Sequence, residues 1–231
     1  RPSARPFFPF VSVSRVSKKR KIVSLIIPVL NEEEAISPFM AEMDGCLAGI
    51  SGYHFEYIFV DDGSTDSTLA RLRDLAEAGM PVRIIELSRN FGKEAALSAG
   101  IDHAEGDAVI PIDVDLQDPP HVIADMIAKW EAGWEVVLAM RSDRSSDTLV
   151  KSQSARLFYW LHNRFSAPRI PANCGDFRLM DKVVVAALRR LPESQRFMKG
   201  LFAWVGFRTT SVSYVRESRS AGQSKFNVGK L

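Results

Sequence analysis

The residues best suited to chemistry lie in one short run, Asp113-Val114-Asp115-Leu116-Gln117-Asp118. It follows an apolar stretch that reads as a buried strand, and alternate residues of an extended chain point the same way. Asp113 and Asp115 are therefore expected to share a site. Two carboxylates and the Gln117 amide offer the hard oxygens that Mg²⁺ or Mn²⁺ takes, with water and substrate phosphates filling the other positions. A bare D-x-D spacing also occurs in solvated turns, so its weight here comes from its place at a strand end. A second acidic run, Asp61-Asp62-Gly63-Ser64-Thr65-Asp66, is open to two readings. Its carboxylates can accept from base N–H groups or ribose hydroxyls, or they can form a turn and helix cap. Lys93 stands at a predicted helix start, as an exposed lysine or as a cation close to a diphosphate.

The elements that position these residues alternate in type. Ile22–Val29 is a nearly continuous apolar run, the pattern of a strand covered on both faces. A helix is expected over Asn31–Ile50, with Glu32, Glu33 and Glu34 suiting its positive N-terminal end. Strands are predicted at Tyr57–Val60, Val82–Leu87, Ala108–Ile112 and Val136–Ala139. Helices are predicted at Ser67–Ala78, Lys93–Ala104 and, opened by Pro119-Pro120, at Val122–Ala132. This alternation predicts an α/β fold: a doubly wound, mostly parallel sheet flanked by helices. Ligands of such sheets bind outside the carboxyl ends of the strands. Asn31-Glu32, Asp61–Asp66, Arg89–Lys93 and Asp113–Asp118 each follow a strand, so these polar clusters converge on one edge. Beyond them, Leu149–Phe165 reads as a basic amphipathic helix, Asn173–Met180 as a polar turn entering a strand, Asp181–Leu191 as a helix and Thr209–Val215 as a strand. The basic, Gly- and Ser-rich Arg216–Leu231 reads as a loop.

The chain of 231 residues is long enough to bury a core and suits one large domain. A net charge of +2 gives no argument for nucleic acid as a partner. Residues 1–21 hold seven Lys and Arg and no acidic residue, the mark of a solvated tail or of attraction to anionic lipid head groups. Cys46 and Cys174 are too few and too far apart for a disulfide framework or a zinc site, which fits a reducing compartment. No apolar run is long enough to cross a bilayer, and the N-terminus lacks the apolar core of a signal peptide.

Four motifs taken in order carry a resemblance. Pro28-Val-Leu30-Asn-Glu32, Val60-Asp-Asp62-Gly-Ser-Thr-Asp66, Arg89-Asn-Phe-Gly-Lys93 and Asp113-Val-Asp115-Leu-Gln117-Asp-Pro-Pro resemble those of family 2 glycosyltransferases. More narrowly, the chain is similar to the polyprenyl-phosphate glycosyltransferases, from about Ile22 to its end. The resemblance implies a GT-A fold in a single catalytic domain, a nucleoside-diphosphate sugar donor and inversion at the anomeric carbon. It divides residues 22–231 into a nucleotide-sugar half (22–118) and an acceptor half (119–231), after the basic tail 1–21. Pro28, Leu30, Glu32, Asp62 and Lys93 would line the nucleotide pocket, and Asp113, Asp115 and Gln117 would hold the metal and the donor diphosphate. Arg141, Arg144 and Arg156 match acceptor-phosphate positions, and Asp176 in Asn173-Cys-Gly-Asp176-Phe-Arg178 matches a position proposed as the base. Ser224 and Lys225 match a loop that closes on the substrates.

The implied reaction moves a hexose to polyprenyl (undecaprenyl) phosphate at the cytoplasmic face of a membrane, with the bacterial inner membrane expected. UDP-glucose is the donor favoured by Arg89–Leu97, GDP-mannose the alternative, and a homo-oligomer is left open. The membrane helices usual in that family are absent from this chain, and so is the Q-x-x-R-W motif of processive synthases, which argues for single transfer. A nucleotidyltransferase would carry a glycine-rich loop where Pro28–Glu32 stands. A catalytically silent nucleotide-sugar-binding module is the remaining reading; it would bind donor without turnover.

Overall fold

Lys21–Val29 (KIVSLIIPV) is rich in β-branched and apolar residues and forms β1, the strand from which the sheet is built outward. Alternate residues of β1 serve opposite faces: Leu25 and Ile27 join one core, Ile26 the other. Both faces being covered explains why the run is continuously apolar rather than alternating. The computed structural model describes residues 20–142, 174–191 and 198–215.

β1 pairs in parallel with β2 (Tyr53–Asp61) on one side and β4 (Ala108–Pro111) on the other. β3 (Val82–Glu86) extends the sheet beyond β2 in the same direction. On the far side come β5 (Val136–Arg141), β6 (Cys174–Asp181) and β7 (Thr209–Tyr214), giving the order β3-β2-β1-β4-β6-β5-β7. β6 runs antiparallel to both of its neighbours, whereas β5 and β7 are parallel to each other.

Helices cover both faces. Phe39, Met43 and Leu47 of α1 (Ile36–Leu47), Leu72 of α2 (Thr68–Glu77) and Ile123, Met126 and Trp130 of α4 (Val122–Glu131) pack in one core. Phe39 meets Phe59 of β2 edge-on, ring centroids 6.2 Å apart, so truncating it to alanine is expected to cost about 3–5 kcal/mol. The other core holds Leu97 and Ile101 of α3 (Lys93–His103), Val184 and Leu188 of α5 (Lys182–Arg189), and Met198 and Phe202 of α6 (Met198–Trp204). Gly100 lets α3 lie directly on β1, since a Cβ there would collide with the Ile26 side chain.

The doubly wound, mostly parallel arrangement expected from the sequence is present, with differences in detail. The first helix begins at Ile36, not Asn31. Asn31 adopts a left-handed φ of 53°, which ends β1 in a turn, so the three glutamates precede the helix instead of occupying its first turn. β2 starts four residues earlier than its apolar run, because its first residues sit half-buried beside β1. The segment holding Arg144, Arg156 and the predicted Leu149–Phe165 helix lies outside the described residues, as do the 1–19 tail, Ser224 and Lys225. Among the described residues no helix is long and apolar enough to cross a membrane.

Candidate active site

The loops after β1 and β2 are joined by their own polar side chains. The Asn31 amide donates to Ser64 Oγ at 2.9 Å, and Asn31 Oδ1 accepts from the Thr65 amide at 2.7 Å. The Glu32 amide donates to Thr68 Oγ1 at 2.8 Å, and Glu33 Oε2 accepts from the Ser67 amide at 3.0 Å. Buried Asp61 accepts from both the amide and the hydroxyl of Ser64. Such side-chain-to-backbone bonds hold a loop where no ladder can reach.

Asp62 is only 4% exposed, and its two oxygens accept from the amides of Phe91 and Gly92 at 2.8 and 2.9 Å. It thereby fixes the 88–92 turn against the end of β2. Gly63 is required for the same approach: at φ 77°, a Cβ would lie 2.6 Å from the Arg89 carbonyl carbon. Of the two readings open for the acidic run, the turn is seen in these bonds, while α2 starts at Thr68 with no side-chain cap bond from its N-cap Ser67. Pro28 and Leu30 lie half-buried at the end of β1, and Glu32 just beyond.

The 88–92 turn delivers Lys93 to the start of α3, and the antiparallel register of β6 brings Asp176 to meet it. Ala108 pairs with Asp181 and Val109 with Met180, so β6 begins at the edge where β4 ends and Asp113 follows. Lys93 Nζ lies 2.7 Å from Asp113 Oδ1 and 3.0 Å from Asp176 Oδ2. Burial alone would lower the pKa of this ammonium. The facing Asp113 and Asp176 carboxylates outweigh that effect and hold it above the ordinary lysine value. Arg178, 5% exposed, donates from Nη2 to the Gly175 carbonyl at 2.6 Å and stacks on Phe202 at 4.1 Å, holding the backbone beside Asp176.

Asp113 and Asp115 do not share a site by strand alternation, because β4 ends at Pro111. The chain turns over residues 114–116, with Leu116 at a left-handed φ of 57°. Val114 is buried in the core, and Asp115 Oδ1 accepts from the Gln117 amide at 3.1 Å. No group of three or more His, Cys, Asp or Glu side chains is placed to hold a metal ion among the described residues. The donor set nevertheless fits Mg²⁺ or Mn²⁺, which bind through one or two carboxylates and complete their shell with waters and substrate phosphates.

Arg141 closes β5 at the same edge. Its neighbour Met140 pairs with Cys174, two residues from Asp176. Arg141 Nε donates to the Tyr214 hydroxyl at 3.3 Å, and that hydroxyl donates to Asp118 Oδ1. Burial pushes the Asp118 carboxyl above its ordinary range, against the lowering effect of the Tyr214 bond. Sequence reasoning did not single out Asp118, Tyr214 or Arg178. Asp118 and Arg178 stood inside quoted motifs, while Tyr214 carried no signal beyond strand alternation.

This arrangement is that of the GT-A fold glycosyltransferases. A mannosyltransferase from Pyrobaculum calidifontis, solved with GDP-Man and Mn²⁺, superposes with a TM-score of 0.60 at 22% identity, over 86% of this chain and 56% of that one. Glucosyl-3-phosphoglycerate synthase from Mycobacterium tuberculosis, with Mn²⁺, UDP and phosphoglyceric acid, gives 0.56 at 21% identity, over 87% and 72%. Residues 24–189 match Glycosyl transferase family 2, and the chain belongs to that family. It is 52% identical to the bactoprenol glucosyl transferase of Shigella phage SfV, over 90% of this chain and 68% of that protein. It is 50% identical to the prophage bactoprenol glucosyl transferase homolog of Escherichia coli strain K12, over 90% and 68%. A Synechocystis glycosyltransferase is 49% identical over 90% and 65%. The chain thus spans about two thirds of the length of the curated relatives it matches.

Proposed function

We propose that this domain transfers glucose from UDP-glucose to a polyprenyl phosphate at a membrane surface, inverting the anomeric centre in a single transfer. The observation that carries the reading is the Lys93 ammonium between Asp113 and Asp176 at the strand-end edge, with Arg141 on the neighbouring strand. Relatives at about half identity that bear the name bactoprenol glucosyl transferase support the choice of sugar and acceptor. Residues 22–118 form the donor half and 119–231 the acceptor half.

A polyprenyl monophosphate has a second pKa of about 6, so it is largely dianionic near neutrality and is already a nucleophile. The demands on the protein are to bring two polyanions together and to stabilise the departing diphosphate. When bound through Asp113, Asp115 and Gln117, Mg²⁺ or Mn²⁺ would supply charge to that leaving group. Lys93, kept protonated by its carboxylate partners, is placed to turn toward the same phosphates. Arg141, with Arg144, Arg156 and Lys225 from outside the described residues, takes the acceptor phosphate. Asp176 orients Lys93 and the acceptor and is not required as a strong base. Pro28, Leu30, Glu32 and Asp62 form the wall on which the nucleoside rests.

Incubation with UDP-glucose, UDP-N-acetylglucosamine, GDP-mannose and a short polyprenyl phosphate, followed by mass detection of the lipid, tests the reading. A hexosyl lipid formed from UDP-glucose is expected. A product from GDP-mannose alone would reassign the donor, and donor binding without any lipid product would leave only the silent nucleotide-sugar module.

A further inference from the structure

Tyr214 joins two parts of the site that the sequence keeps far apart. It is the last residue of β7, opposite Arg141 in the β5–β7 register. Its phenol accepts from Arg141 Nε at 3.3 Å and donates to Asp118 Oδ1, while Arg141 Nη2 stands 4.0 Å from that oxygen. The amide and hydroxyl of Ser142 both donate to the Tyr214 carbonyl at 2.9 Å, so the backbone after Arg141 is held by the same residue. The ring packs edge-on against Phe177, centroids 6.1 Å apart, and both Tyr214 and Asp118 are buried. Burial and the adjacent Asp118 push the phenol well above its ordinary pKa, so it remains a donor.

We propose that Tyr214 is a positioning residue for the acceptor phosphate. It fixes the plane of the Arg141 guanidinium and ties that cation to Asp118, on the segment that also carries Asp113, Asp115 and Gln117. The proposal rests on the reading that Arg141 binds the acceptor phosphate. With Nε held by Tyr214, the guanidinium presents its Nη groups in one orientation, the condition under which an arginine takes a phosphate in two-pronged fashion. Asp118 directly follows Gln117, so the anchor of Arg141 lies on the same short segment as the donor-side residues. A hydroxyl serving the fold alone would affect stability and leave the two substrates equally treated.

Steady-state glucosyl transfer, with UDP-glucose and the lipid phosphate varied in turn, separates these cases for Tyr214→Phe, Arg141→Ala and the double variant. Tyr214→Phe keeps the ring and removes the hydroxyl. It is expected to raise KM for the lipid phosphate about tenfold while changing KM for UDP-glucose by less than about twofold. The double variant should be no worse than Arg141→Ala. If Arg141→Ala harms acceptor use while Tyr214→Phe does not, or if the two losses multiply, Tyr214 does not act through Arg141 and the proposal fails alone. An unchanged acceptor KM in Arg141→Ala would remove both the proposal and the assignment of Arg141 beneath it. Should Tyr214→Phe fold poorly, Asp118→Asn keeps an oxygen to accept from the phenol and should retain acceptor KM, whereas Asp118→Ala should raise it. Equal effects of those two substitutions would also overturn the proposal.

Discussion

The two edges of the sheet use the same charged residue types for different ends. At the amino ends of the parallel strands, cations meet acids in contacts largely open to water, Arg83 at 3.9 Å from Glu56 and 3.7 Å from Glu105. Lys182 meets Asp107 at 2.9 Å, Lys21 meets Glu131 at 2.7 Å, and the Trp130 indole donates to Asp181 at 2.7 Å. Lys182 is 65% exposed, and these contacts pin strand ends and cap α5, whose Val183 amide Asp181 accepts at 2.9 Å. At the carboxyl ends, Lys93 is 28% exposed and serves two acids that approach from strands of opposite direction. Charges that meet in water stabilise a fold weakly. An ammonium shared between two carboxylates and largely out of water is held more tightly, and on the proposed function it would exchange them for the donor phosphates.

The sharpest way to break this contrast is to remove a carboxylate at the carboxyl edge. Asp115 lies in a half-buried turn and accepts from the Gln117 amide. Asp115→Ala is expected to lower turnover by about 10²–10³-fold or more, the scale of losing one leaving-group stabiliser. The thermal midpoint should move by only a few degrees, a shift that corresponds to about 1 kcal/mol in a domain of this size. Undiminished turnover, or full activity in excess chelator, would remove the metal from the mechanism.

Asp62 tests whether the edge is itself held by charge. Asp62→Ala leaves the Phe91 and Gly92 amides without their carboxylate, and each bond to a charged group is worth about 1.5–3 kcal/mol. A loss of about 2–4 kcal/mol in denaturant unfolding is expected, together with weaker donor binding as the turn before Lys93 relaxes. A loss of stability under about 0.5 kcal/mol would mean that the loop is held by other contacts.

How far this was legible beforehand follows from the range of each interaction. β1, β3 and β4 are short apolar runs with polar stops, and local sequence was enough to find them and to bring their following loops to one edge. Asp113 and Lys93 were found for the same reason. β6 was read as a strand, but its direction was not, because antiparallel insertion between β4 and β5 is set by pairing across the sheet. That register alone brings Asp176 to Lys93. Tyr214 is the extreme case: an alternating strand residue whose partners lie 73 and 96 positions away. The expected alternation of Asp113 and Asp115 failed locally, where Leu116 takes a left-handed turn that periodicity does not encode.

The smallest effect belongs to the amino edge, and its sign can be worked out. Asp107 Oδ1 accepts from Lys182 at 2.9 Å and Oδ2 from the Ile22 amide at 3.2 Å. The Lys182 bond first, then the Ile22 amide, hold its pKa below the ordinary value of 3.8. A depressed carboxylate contributes stability that is present above its unfolded pKa and is lost as pH falls through the folded one. The pair is exposed, so solvent screens it and its contribution is small. Asp107→Asn should therefore melt slightly below the parent at pH 6, by no more than about 2–4 °C. The two melting curves should draw together as pH drops below about 3.8 and the parent's carboxylate takes up its proton. A gap that stays constant from pH 6 to pH 2.5 would show that Asp107 acts through its shape and its bond to β1, and the charge contrast between the two edges would lose its amino half.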